Sequence, residues 1–561
     1  MSAPEDAYVR EERLSCQNGS VSHLKKIMEK QMIKVSKKKW LLAAVVVLGS
    51  ISMVGCGGGS SASNQPLAAS VLVTNGTVVG NDRDAAGILS YKGIPYAAAP
   101  VGDLRWRAPQ PAANWASAKN ATQYGNTCWQ GTAFGPVDNS KASEDCLFLN
   151  VWTGAQVTSE RRPVMVWLHG GGFQFGTSGD PRWEGANLAK KGVIVVSLNY
   201  RLGAFGFLAR TDLDAESDGK SSGMYGLLDQ IAALQWVKTN IAAFGGDPDN
   251  VTVFGESAGA HAVGMLLASP LAKGTFNKAI AESGAFWETP KGVMKPHVAA
   301  AQIGSRLGAQ LGAATLASLR SLSALQIMSD PTAPAYDPSV DGYVLPADPY
   351  SRFAAGLQND VPLLEGQNAN EGEIFAAFSG IPSDTKDNFI AAATSSFGAS
   401  NINTFLQYYP AATDAQAKQS QILLSGDLII SSQTWAMANL QKRTGKAPVY
   451  SYYFRQTSPY NPLPLHVSEV PYVFQNLVPN GRGAPNADDL TVADAMSSYW
   501  TNFAKTGNPN GGSLPNWPAY TGAGGLVMGL GTPLQAQPEI GTARFQFLNN
   551  FRTNGSLGFR F

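Results

Sequence analysis

The stretch Val251-Thr252-Val253-Phe254-Gly255-Glu256-Ser257-Ala258-Gly259 runs straight into Ala260-His261-Ala262-Val263-Gly264-Met265-Leu266-Leu267. A short apolar run, then Gly-x-Ser-x-Gly, then small and apolar residues predicts a strand that turns sharply into a helix, with Ser257 at the tip. Glycines two before and two after the serine let neighbouring backbone pass close, and the strained turn projects the hydroxyl. The five-residue motif alone is a weak signal; the strand before it and the helix after it give it meaning.

Other apolar runs lie on both sides of this one. Pro163-Val164-Met165-Val166-Trp167-Leu168, Gly192 to Leu198 and the tyrosine-rich Val449 to Phe454 are apolar without alternation. That pattern suits strands covered on both faces in a mostly parallel sheet. Leu227, Leu228, Ile231, Leu234 and Val237 recur near helical spacing within 227–241. Val71 to Val79 reads as an opening hairpin, and 291–346 as helix-rich in its first half and part of a cap. Strand and helix alternate from residue 68 onward without a linker or repeat, which predicts one large α/β domain over 68–561.

A serine hydroxyl is a poor nucleophile until a base takes its proton. The chain has only 5 histidines. His23 precedes the domain, His169 heads a glycine cluster and orders that loop, and His297 stands alone. His261 lies one turn into the helix after the serine and reads as structural. His466, in a loop after the fourth run, is the expected base. An acid that steadies it must lie between Ser257 and His466 in this chain order. Glu371, Glu373, Asp337 and Asp341 all qualify on spacing. For the developing oxyanion, Gly171, Gly172 and Ala258 offer backbone N–H groups that an oxygen can approach closely. Phe173, Trp287, Phe375 and Phe474 are candidate pocket walls. None of this chemistry calls for a metal or cofactor.

The first 55 residues are a leader. Lys37-Lys38-Lys39 is a basic start, Trp40 to Leu48 an apolar core too short to span a bilayer, and Met53-Val54-Gly55-Cys56 resembles the lipobox of bacterial lipoproteins. Residues 1–31 read as an upstream extension, 32–55 as the signal, Cys56 as the lipidation site and 56–67 as a flexible tether. An outer-membrane or cell-surface anchor is expected, with a periplasmic or secreted form as the alternative. Export agrees with the cysteines: beyond Cys16 and Cys56 only Cys128 and Cys146 remain, an even pair expected to form a disulfide. Beyond residue 55 the chain carries 33 basic against 36 acidic residues, with no basic cluster, so no nucleic-acid partner is expected.

Several ordered blocks resemble the type-B carboxylesterase family of α/β-hydrolases, which includes cholinesterases and bacterial para-nitrobenzyl esterases. They are Lys92 to Tyr96, Leu104-Arg105-Trp106, Ser143 to Asn150, His169 to Phe173, Asn199-Tyr200-Arg201, Phe244 to Pro248, Glu256 to Gly259 and Trp500 to Ala504. The resemblance implies an α/β-hydrolase fold, a large mostly parallel central sheet flanked by helices with helical insertions near an active-site gorge. It implies a serine carboxylesterase acting on small-molecule esters through an acyl-enzyme. Its nucleophile falls on Ser257, its base on His466, its acid on Glu371 and its oxyanion donors on Gly171, Gly172 and Ala258. Glu256 and Ser283 fall beside the triad as supports. Cys128–Cys146 matches the family's first disulfide, and Arg105 with Glu144 and Arg201 with Asp229 match two scaffold ion pairs. A choline ester is disfavoured, because no choline-binding tryptophan aligns in the short Cys128–Cys146 loop. The alternatives are a lipase for longer chains and a non-catalytic binding protein of the same fold.

Overall fold

Strands that are apolar on both faces have to be covered on both faces, and this requirement organises the molecule. The structure is a computed structural model and describes residues 66–131, 137–288, 293–330, 336–377, 379–382 and 384–553. The expected leader, Cys56 and nearly all of the tether lie outside the described residues.

The hairpin β1 (Ser70–Val73) and β2 (Gly76–Val79) forms as expected and joins a short β4 (Lys119–Asn120) in a 3-stranded sheet. The central sheet has 10 strands. These are β3 (Leu89–Pro95), β5 (Phe148–Thr153), β6 (Arg162–Leu168), β7 (Ile194–Leu198), β8 (Gly246–Glu256), β9 (Lys278–Glu282), β10 (Leu363–Asn368), β11 (Val449–Phe454), β12 (Leu526–Leu530) and β13 (Gln535–Pro538). Their order is β13-β12-β11-β10-β9-β8-β6-β7-β5-β3. From β7 to β12 every neighbour is parallel, and only the two edges are antiparallel.

Alternate residues of β6 divide between the two faces. Val164, Val166 and Leu168 join one buried cluster, and Met165 and Trp167 join the other. Burying such a side chain fully is worth ~2 kcal/mol, so a strand buried on both faces is fixed in register by many small terms. The helix expected over 227–241 spans Tyr225–Asn240 and packs Leu227, Ile231, Leu234 and Val237 inward. The helix Ala258–Ala268 is buried on every side, which explains its uniformly small and apolar composition.

Both expected ion pairs are present. Arg105 Nε donates to Glu144 Oε2 at 2.6 Å while Nη1 donates to the carbonyl of Leu322 at 2.8 Å, tying the end of the helix Leu316–Ser321 to the body. Arg201 grips Asp229 at 2.7 and 2.8 Å, fully buried. The disulfide Cys128–Cys146 closes a separation of 18 residues. A satellite cluster of Phe389, Phe397, Phe405, Tyr409, Phe547 and Leu548 binds the helix Thr542–Thr553 to the helices Lys386–Phe397 and Ile402–Tyr408.

Parallel strands end on one side of the sheet, so the loops after β6, β8, β9 and β10 converge there, with the segment beyond β11. Such convergence at the carboxyl ends is where open α/β sheets place their sites.

Candidate active site

Ser257 sits between β8 and the helix Ala258–Ala268 at φ 54° and ψ −122°, a conformation L-residues rarely adopt. Its amide donates to Glu282 O at 2.9 Å, and its carbonyl accepts from His261 N at 2.8 Å. The flanking glycines are sterically required. A Cβ on Gly259 would lie 2.0 Å from Leu168 O, and one on Gly255 would lie 2.7 Å from the same oxygen. The hydroxyl bonds to no described residue and opens on a cavity of about 600 Å³.

His466 lies on the same cavity. Its Nδ1 meets Glu371 Oε2 at 2.6 Å. Glu371 follows β10, and its other oxygen accepts from Ser283 Oγ at 2.6 Å and from Asn368 N at 2.7 Å. Three residues, of which Ser283 and His466 are distant in sequence, thus fix one carboxylate and leave the imidazole one orientation. The His466 loop is stitched to the end of β10 by Asn370 N donating to Pro464 O at 3.0 Å and Asn368 Nδ2 to Leu465 O at 2.8 Å.

Of the four acids allowed by spacing, only Glu371 meets the histidine. Glu373 is exposed. Asp341 accepts from Ser221 Oγ at 2.7 Å and Leu345 N at 2.8 Å. Asp337 pairs with Lys295 and accepts from Trp287 Nε1 at 3.3 Å. His169 orders its loop as expected: Nδ1 donates to Gly170 O at 2.9 Å, and the ring stacks on Tyr200. His261 caps the amides of Ala285 and Trp287, and His297 pairs with Asp214.

Glu256 Oε1 stands 3.1 Å from His466 Nε2, so the imidazole has a carboxylate at each nitrogen. Burial alone would push the His466 pKa down; the carboxylates of Glu256 and Glu371 outweigh it and hold the pKa above its usual value. Burial lifts the Glu256 carboxyl to about 7, against the pull of His466.

Gly171 (φ 110°) and Gly172 (φ 59°) line the cavity in the left-handed region, and a Cβ on Gly171 would lie 2.1 Å from Phe175 O. Ala258 opens its helix, so its N–H is among those a helix leaves unpaired. Among the described residues, no group of three or more His, Cys, Asp or Glu side chains could hold a metal.

A strained serine at a strand–helix turn, a His–Glu pair on the same cavity and glycine N–H groups at the end of β6 form the constellation of an acyl-transfer enzyme. Residues 68–548 match the carboxylesterase family. The chain belongs to that family. As a carboxylesterase it is a carboxylic ester hydrolase with the α/β-hydrolase fold. It is 37% identical over 492 residues to the fumonisin B1 esterase of Sphingopyxis macrogoltabida, covering 83% of this chain and 88% of that one. It is 38% identical over 458 residues to the para-nitrobenzyl esterase of Bacillus subtilis, covering 77% and 89%. A solved para-nitrobenzyl esterase superposes with a TM-score of 0.72 at 35% identity, covering 85% of this chain and 99% of that one.

The carboxylesterase cavity has two kinds of wall. Ile374, Phe375, Leu428, Ile429, Ile430 and Val467 form the apolar one. Leu428 to Ile430 belong to a π-helical turn, Asp427–Ser431, which interrupts an otherwise continuous helix and is anchored by the pair of buried Asp427 with half-buried Arg544. Around Trp287 the wall is polar, with Lys295, Asp337, Glu288 and Arg552. Arg552, on the helix Thr542–Thr553, pairs with Glu288, and both side chains are only 2% exposed.

Two of the four expected wall residues are corrected. Phe173 lies behind the wall, edge-on to Trp287 at 4.8 Å and to Phe207 at 5.3 Å. Phe474 is fully buried in the core, against Trp167 and Phe254. Aromatic residues near a site in sequence fill the core as readily as a cavity, and here the core claimed these two. Trp287 and Phe375 do line the cavity, and Phe375 stands edge-on to His466 at 4.9 Å. The apolar π-turn and the charged wall were missed. Their residues come from distant segments, and no local pattern announces them.

Proposed function

We propose that this carboxylesterase hydrolyses small-molecule esters by two-step acyl transfer, with Ser257 as nucleophile, His466 as general base and Glu371 as the acid that orients it. His466 takes the Ser257 proton as the hydroxyl attacks the ester carbonyl. The tetrahedral oxyanion is met by the N–H groups of Gly171, Gly172 and Ala258, where losing one donor costs about 3 kcal/mol. His466 then protonates the departing alkoxide. Water attacks the acyl-enzyme by the same route and releases the acid. Glu256 and Ser283 act through others: Ser283 holds Glu371, and Glu256 steadies the imidazolium. The observation that carries this reading is the bond that His466 Nδ1 donates to Glu371, on the cavity into which the strained Ser257 opens.

The test is hydrolysis of p-nitrophenyl esters from acetate to palmitate by the protein and by Ser257→Ala. Activity that peaks at short chains and vanishes in the variant supports the reading. A peak at long chains makes the enzyme a lipase, and a variant that keeps full activity overturns the triad. Fumonisin B1, named for one relative, belongs in the same panel.

We further propose that the chain is an exported lipoprotein, anchored through Cys56. The basic, apolar and lipobox-like segments before that residue support this, as does the disulfide Cys128–Cys146, a bond of oxidising compartments. Metabolic labelling with a palmitate analogue tests it: label lost in Cys56→Ala supports the anchor, and an unlabelled wild type overturns it.

A further inference from the structure

His261 is spent only in part on holding the backbone. Its ring is 1% exposed, yet it forms part of the cavity wall beside Ser257. Nδ1 accepts two amide hydrogens, from Ala285 N and Trp287 N, each at 3.0 Å. A nitrogen that accepts cannot also carry a proton, so the ring is neutral and its hydrogen sits on Nε2. These two bonds hold Trp287 at φ 55°, a conformation that L-residues resist. The indole in turn stands edge-on to the imidazole at 5.1 Å. Tautomer and ring orientation are therefore both fixed by the backbone.

The other nitrogen is left over. Nε2 bonds to no described residue, and it is not among the polar atoms sealed from water without a partner, as His169 Nε2 is. A structural histidine would need neither a place on the cavity nor a second nitrogen open to it. His261 follows Ser257 by one helical turn, about 6 Å along the axis, so a group that meets it lies only a few bonds from a carbonyl under attack at Ser257. Its side of the cavity is the polar one. Asp337 has both oxygens engaged, by Lys295 and by Trp287 Nε1, and Glu288 gives one oxygen to Arg552. What His261 adds to that wall is a donor in want of an acceptor.

We propose that His261 Nε2–H is a specificity-determining donor that selects esters carrying an acceptor oxygen, such as an ether, keto or hydroxyl oxygen, a few bonds from the scissile carbonyl. This rests on the reading of Ser257 as nucleophile and names the substrate class for the same site. Bare hydrocarbon placed there leaves the N–H without a partner, and a site built to bond a polar group discriminates against the analogue that lacks it.

Two pairs of esters that exchange one methylene for oxygen test it: ethyl pentanoate against ethyl 3-methoxypropanoate, and butyl butanoate against 2-methoxyethyl butanoate. Each kcat/KM is measured by pH-stat on the full chain and divided by the rate of alkaline hydrolysis, which removes intrinsic reactivity. The expected result is a preference of roughly tenfold for the ether member of at least one pair. Because burial pulls the His261 pKa down to about 3, the ring stays neutral and this ratio is level between pH 6 and 8. The ratio falls toward one in His261→Leu. It is better kept in His261→Gln, which retains both an acceptor for the two amides and a donor. Thermal melts show whether each variant is folded. A wild-type ratio near one in both pairs overturns the proposal, and so does a ratio unchanged in folded His261→Leu. Should the His261→Leu variant not fold, the wild-type ratio and the His261→Gln variant still decide. Failure to hydrolyse any of the four esters strikes at the nucleophile assignment instead.

Discussion

The turn that carries Ser257 and the loop that carries His466 open on the same cavity, and they are held by different means. The Ser257 turn is held by what cannot fit. Gly255 and Gly259 face the Leu168 carbonyl so closely that no Cβ is tolerated, and the adjoining helix is buried on all sides. The His466 loop is held by what it bonds. Asn368, Asn370 and Glu371, at the end of β10, reach across to Pro464, Leu465 and His466. Steric locks are local and unforgiving; polar stitches are long-range and can be removed one at a time.

Five substitutions press on this difference, from the largest effect to the smallest. Ser257→Ala should lower kcat by roughly 10^5-fold or more with the melting temperature kept, as removing a nucleophile does elsewhere. Retention of more than a hundredth of the activity would point to another nucleophile. Glu371→Gln keeps the shape but loses the charge and the tautomer control, so kcat should fall by about 10^4-fold. A fall of only a few fold would mean that Glu256 orients His466 in its place.

Gly259→Ala should act on the fold. Its methyl collides with a backbone oxygen rather than a yielding side chain, and a loss of at least ~3 kcal/mol is expected in denaturant unfolding. Unchanged stability would show that the Ser257 turn has slack. Asn368→Ala, on the stitched side, should cost about 1–3 kcal/mol and lower kcat more than it raises KM. Equal changes in stability for these two variants would erase the distinction drawn above.

The last is a shift in pH dependence. In the proposed mechanism the base must be neutral to accept the serine proton, so activity should rise as pH climbs through the His466 pKa, which the flanking carboxylates keep high. Glu256→Gln removes one of these charges, lowers that pKa, and should move the acidic limb of the kcat/KM profile to lower pH. A limb that stays in place would show that Glu256 is uncharged when the enzyme works, consistent with a carboxyl that burial lifts to about 7.

How much could be read in advance follows the same division. The strand runs, the Ser257 turn and the helix Tyr225–Asn240 were legible because local sequence makes them: both-face apolarity, glycine at points of contact, helical spacing. Spacing narrowed the acid to four residues and no further, because Glu371 is singled out by its bonds with Ser283 and His466, both distant in the chain. Phe173 and Phe474 were misjudged for the same reason: a phenylalanine carries no mark of which neighbours will surround it. His261 reads as structural in the sequence, and its bonds to Ala285 and Trp287 agree; its second nitrogen becomes informative only once the cavity is seen.

The π-helical turn at Asp427–Ser431 bears on how this enzyme could change. Leu428, Ile429 and Ile430 meet the cavity from a helix, whereas Ser257 and Glu371 follow sheet strands and His466 is tied to the end of one of them. Of the three, Ile429 is only half-buried, whereas Leu428 and Ile430 are buried and Leu428 also packs in the satellite cluster. A lineage, or a library randomised at Ile429, therefore has room to reshape the cavity while the fold is kept. Gly426, just before the turn, sets the boundary of that freedom: a Cβ there would lie 2.6 Å from the backbone of Gly372, next to Glu371.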